Sequence, residues 1–159
     1  MRLVPACAEA HVGAMAGIEQ TIEEIADEFA LLPDWEERIA HVIELARTLE
    51  PLDDSERNET TRVRGCASQV WFVPERRPPD LQRLYFRGDS DAHLVRGEIA
   101  MLLRIFSGRT PQEILSVDPR AVFERLGLKD ALTQQRSNGL FAMMGRIQQQ
   151  AAEAVGSRQ

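Results

Sequence analysis

The sequence predicts an α+β domain, and three observations carry the prediction. Residues 18–46 repeat apolar side chains at helical spacing, residues 60–88 hold short extended runs rich in β-branched and aromatic residues, and residues 92–147 return to helical spacing. Segregated helices and strands argue for α+β rather than alternating βαβ units. The expected order is two N-terminal helices, a three-stranded antiparallel meander, then several C-terminal helices. A chain of 159 residues, 43% of them hydrophobic, is long enough to close one core. The domain is expected over 18–153, with 1–17 an unordered lead-in (Met15 being an alternative start) and 154–159 a frayed tail.

Ile18, Ile22, Ile25, Ala26 and Phe29 fall on one helical face, and Pro33 ends that helix. Asp34 reads as the next N-cap, with Glu37 completing a capping box. The second helix should bury Trp35, Ile39, Val42, Ile43 and Ala46 before Pro51 closes it. A charged connector, residues 53–59, leads to the first two strands at Thr60–Arg64 and Gln69–Val73, with Trp71 in the core. Pro74 and the pair Pro78-Pro79 should end the second strand. Residues 81–88 form the third, with Leu84 and Phe86 on one side and Arg83, Tyr85 and Arg87 on the other.

Asp91 reads as the N-cap of a helix over 92–106 with so little polar face that it must be central and buried, with Gly108 as its C′ residue. Thr110, Pro111 and Glu113 make a capping box, and Asp118-Pro119 opens a short helix that Gly127 stops. Ser137 should open the last helix, with Leu140, Met143, Met144 and Ile147 inward. Asp89, Ser90 and Asp91 read as a turn and cap rather than a metal cluster.

A formal net charge of -6 argues against nucleic acid or an anionic membrane surface as partner. No apolar run approaches the roughly 20 residues of a membrane span. The N-terminal segment, with one Arg and an early Glu9, is a poor export signal, so a cytoplasmic, reducing location is expected. Cys7 and Cys66 cannot build a disulfide framework, and His11, His41 and His93 stand at no metal-ligand spacing. Neither a metal nor a resident cofactor is expected. Whatever Cys66 does, it does as a thiol.

Cys66 sits in "TTRVRGCASQVWFVPE", residues 60–75, at the entrance of a strand rather than within an apolar pattern. Gly65 supplies backbone freedom, and Ala67 and Ser68 add little bulk, so the run reads as a loop tip presenting sulfur. "RVRGCASQVW" resembles the signature of the SufE family, sulfur acceptors of cysteine desulfurases. Three further blocks agree in order: "DWEERIAHVIELARTL", "GDSDAHLVRGEIAMLL" and "RSNGLFAMMGRI", together covering about residues 20–150.

The resemblance implies a fold shared with IscU-type scaffolds. It also implies that Cys66 accepts persulfide sulfur from a pyridoxal-phosphate cysteine desulfurase (SufS/CsdA-like), stimulates that enzyme, and relays sulfur to an iron–sulfur scaffold or another acceptor. Only one cysteine falls in the matching region, so the chain should carry sulfur without holding a cluster. Cys7 inherits no role.

Transpersulfidation needs a reachable thiol, a thiolate at the moment of attack, and a shielded product. Gly65 and Ser68 support the loop. Arg62 and Arg64 could lower the Cys66 pKa, although charge on a solvated strand edge is the commoner use of such residues and carries more weight. Val70 and Phe72 offer shielding. Arg136, heading the "RSNGL" block, is a contact for the cysteine loop or the desulfurase on the family resemblance, or else an anchor for the last helix. One alternative is a non-covalent desulfurase activator with a structural Cys66. An independent thiol hydrolase lacks a nearby base, and a thiol peroxidase lacks a placed resolving cysteine.

Overall fold

The computed structural model describes the backbone of residues 6–156 and the side chains from Gly17 to Gly156. In chain order the helices are α1 (Ala6–Ala30), α2 (Trp35–Leu45), α3 (His93–Phe106), α4 (Pro111–Leu115), α5 (Pro119–Arg125) and α6 (Gln134–Gly156). Between α2 and α3 lies an antiparallel pair, β1 (Val70–Arg77) and β2 (Asp80–Ser90). The lead-in expected over residues 1–17 lies, for its side chains, almost wholly outside the described residues, Cys7 included.

A helix that is apolar nearly all round must be enclosed, and α3 is. Ile99, Leu102, Ile105 and Phe106 have no exposed surface, and α1, α2, α6 and β2 pack around them. The expected α1 stripe is inside at Ile18, Ile22, Ile25 and Phe29. Each such burial contributes roughly 1.5–3 kcal/mol relative to exposure. At Gly97 the crossing of α2 and α3 reaches backbone contact: a Cβ there would lie 2.2 Å from the Val42 carbonyl oxygen. Val42 is the α2 residue this crossing buries, whereas Ile43, expected inside, is 38% exposed because it falls off the narrow seam.

Several signals act as read. The Asp34 carboxylate accepts the Glu37 N–H at 2.9 Å, one half of the expected capping box, Thr110 and Glu113 form both halves of theirs, and Asp118 caps α5. Gly108 and Gly127 adopt φ of 82° and 68° just past their helices.

Other expectations need correction. The meander has two strands, not three: Thr60–Arg64 contributes a single bridge, Arg62 with Trp71. Its ladder stops after Val63 N–H to Val70 O and Phe72 N–H to Thr61 O, because the Arg146 guanidinium from α6 takes the carbonyls of Thr60 and Arg62 and the chain turns at Gly65. Pro74 does not end β1. It pairs with Phe86, whose own N–H points away from β1 to Ser107 Oγ, so the proline occupies a position where no ladder donor is required. The Pro78-Pro79 pair, joined by a cis peptide, makes the turn.

Trp71 is only half-buried, on the outer face of β1, with the Arg57 guanidinium 5.9 Å from its ring centroid. Asp91 does not cap α3. Its carboxylate accepts the Gln69 N–H at 3.1 Å, and Ala92 occupies the cap position. Ser137 does not open α6 but lies buried inside it, because Thr133 caps the helix earlier by accepting the Arg136 N–H at 3.2 Å. No helix among the described residues is long and apolar enough to cross a membrane.

Candidate functional site

Two buried valines frame the cysteine loop: Val63, paired to Val70, before it, and Val70, at the start of β1, after it. Between them six residues must leave the sheet and return. Gly65 makes the reversal at φ 93°, where a side chain would be strained and a Cβ would sit 3.1 Å from Ala142 Cβ. The turn directs Cys66 back towards α6. Its thiol donates to the Gly139 carbonyl oxygen at 3.5 Å. On the far side of the loop, Asp91 holds the Gln69 N–H.

Cys66 is half-buried and opens into a cleft of about 370 Å³ between the loop, α3 and α6. Ser68, His93, Glu98, Arg136 and Met143 share its lining. Ser68 and Arg136, both expected near the cysteine, are thus brought to it. Arg64 is not: its guanidinium is exposed and ion-paired with Glu59 at 2.7 Å. Burial pushes the Cys66 thiol up from its ordinary value, and the Glu98 charge adds to the rise, so the upstream arginines do not activate it at rest. In this conformation the sulfur is a protonated, sheltered thiol.

Three residues that shape the site were not anticipated. Glu98 is 4% exposed, and burial raises its carboxyl to about 7 against the opposing pull of Arg136. Its sequence signal was a lone acid on the buried side of the most apolar helix. Gly139 supplies the carbonyl that receives the thiol; glycine within the "RSNGL" block was the available hint. Arg146, part-buried, ties the segment before the loop to α6 through the carbonyls of Thr60 and Arg62, and nothing in the helical pattern around it marks that role.

Among the described residues no group of three His, Cys, Asp or Glu side chains is placed to hold a metal ion. Asp89 instead pairs with Arg57 at 2.8 Å and Arg96 at 2.9 Å, fixing the end of β2 against the start of α3.

Comparison with known proteins bears on the family and the fold. A family model described as SufE, Fe-S metabolism associated domain, matches residues 23–151. An uncharacterized SufE-like protein of Rhizobium etli is 42% identical over 132 residues, 82% of this chain and 89% of its own length. A second, from Rhizobium meliloti, is 42% identical over 132 residues and is covered to 94%. The solution structure of a hypothetical protein from Thermus thermophilus superposes with a TM-score of 0.69 at 22% identity, over 89% of this chain and 97% of that one, and this likeness carries the fold. With the family model spanning most of the chain and SufE-like relatives aligned over four-fifths of it, the protein belongs to the SufE family of iron–sulfur metabolism.

Proposed function

We propose that Cys66 accepts the outer sulfur of a persulfide carried by a pyridoxal-phosphate cysteine desulfurase and relays it to iron–sulfur cluster assembly. One observation carries the reading: the thiol stands on an irregular loop and faces an open cleft rather than the core. Attack by the Cys66 thiolate forms a new S–S bond to the outer sulfur as the donor's S–S bond breaks. The donor leaves as a thiolate, Cys66 becomes the persulfide, and no external oxidant or reductant is consumed. Removing that sulfur frees the donor's cysteine for another turnover, which is how an acceptor would stimulate the desulfurase.

Shielding and attack make opposite demands on one sulfur. At rest the cleft and the Gly139 carbonyl hold Cys66 as a neutral thiol, sheltered from solution oxidants and electrophiles. Transfer requires the sulfur to leave that position, and the left-handed turn at Gly65 is the hinge for the movement. Arg136, at the cleft and making no side-chain hydrogen bond or ion pair among the described residues beyond its pull on Glu98, is positioned to meet the donor or its anionic persulfide. A reducing cytosol suits chemistry that needs a free thiol.

The test is Cys66→Ser with a desulfurase, labelled cysteine and mass spectrometry of the intact chain. Labelled sulfur should appear on the unsubstituted protein and be lost from the variant, together with desulfurase stimulation. Stimulation that survives the substitution would instead identify a non-covalent activator with a structural Cys66.

A further inference from the structure

Glu98 and Cys66 enter the same cleft from different elements, one from α3 and one from the loop before β1. The carboxylate is almost wholly buried, and its Oε2 has no hydrogen-bond partner. An unpartnered buried carboxylate costs on the order of 1–3 kcal/mol or more, so its place beside a nucleophile calls for a reason. The other charged or titratable groups around it are few. Arg136 faces the cleft from α6 and His93 from the start of α3, while Arg38 of α2 lies on Glu98's opposite side. The Arg38 guanidinium is engaged by the Leu32 carbonyl at 3.2 Å and by the Trp35 ring. No cation among the described residues therefore makes a direct ion pair with Glu98.

We propose that Glu98 is a positioning residue for sulfur acceptance, its carboxylate, once ionised, adding to burial in holding Cys66 as a neutral thiol in the cleft of the free protein. The inference rests on Cys66 being the acceptor, but its direct test does not use the desulfurase. A thiolate forming beside the Glu98 carboxylate would place two anions in one low-dielectric cleft. The two groups therefore titrate as a pair, the first proton leaving mainly Glu98 and the second mainly Cys66. Reactivity is released once the sulfur swings out of the field of Glu98 or that charge is neutralised. The protein so avoids wasting its thiol on small electrophiles while it is alone.

The experiment is the pH dependence of iodoacetamide alkylation of Cys66 in the full-length protein, followed by mass of the Cys66 peptide. Glu98→Gln and Glu98→Leu both remove the charge. Each should move the alkylation midpoint to lower pH and raise the rate about tenfold near pH 9, where Glu98 is ionised, the change expected for one pKa unit, but only about twofold at pH 7, where half of Glu98 is protonated. Glu98→Asp should keep the midpoint near that of the unsubstituted protein. A midpoint unmoved in the charge-removing variants, or lowered equally in Glu98→Asp, would overturn the proposal, since loosened packing alone raises the rate without distinguishing charge. Desulfurase-driven sulfur loading of the same variants reports separately on the acceptor reading.

Discussion

The Cys66 thiol and the Gly139 carbonyl oxygen, 73 residues apart in the chain, meet at 3.5 Å. That contact joins the loop before β1 to the last helix and decides which way the sulfur points. A Cβ at Gly139 would lie 3.8 Å from the sulfur, ordinary van der Waals contact. Gly139→Ala should therefore fold well and gain up to about 1 kcal/mol from helix propensity in urea unfolding. Gly139→Leu should crowd the thiol from its resting place and raise its alkylation rate.

Gly65 is the stiffer constraint. Its φ of 93° and the approach to Ala142 leave no relaxed conformation for a side chain. Gly65→Ala should cost about 1–3 kcal/mol in chemical denaturation, the usual scale of a strained backbone position. Gly65→Pro should abolish sulfur acceptance, and normal loading of that variant would remove the hinge from the mechanism.

Gly97 tests the fold rather than the site. With the Val42 carbonyl 2.2 Å from the position of a Cβ, Gly97→Ala must push α2 away from α3. A loss of about 3 kcal/mol is expected, at the upper end of overpacking penalties, with a clear fall in Tm by circular dichroism.

Arg146→Met should preserve the apolar stem but release the carbonyls of Thr60 and Arg62. Stability should drop by roughly 1–3 kcal/mol, as for a lost charged hydrogen bond. Hydrogen exchange should accelerate at Val63 and Phe72, whose N–H groups close the isolated bridge, while the centre of α3 remains protected.

Glu98 also predicts a pH dependence of stability. Folded Glu98 keeps its proton to about pH 7, whereas an unfolded glutamate releases it near 4.5, so between those values the folded state binds more protons. Stability should accordingly fall as pH rises through that window. Glu98→Gln should be more stable than the unsubstituted protein at pH 8, by up to about 3 kcal/mol, and show little advantage at pH 4. Paired urea titrations at the two pH values check this, and an equal difference at both would refute it.

The succession of helices, then strands, then helices, the enclosed third helix, most caps and a thiol on a loop before a strand were legible from residue types and spacing. These are local properties: periodicity chooses the buried face, and a capping oxygen or a left-handed glycine acts within one turn of chain. Tertiary structure decided what depends on partners far away in sequence. Thr60–Arg64 has the side chains of a strand, but Arg146, from α6, takes two of its carbonyls and leaves one bridge. Likewise the environment of Cys66 comes from Glu98 and Gly139, neither of them near it in the chain. A sequence can thus name the sulfur; its protonation and direction follow only once α3 and α6 close around it, because electric fields and hydrogen bonds act through space.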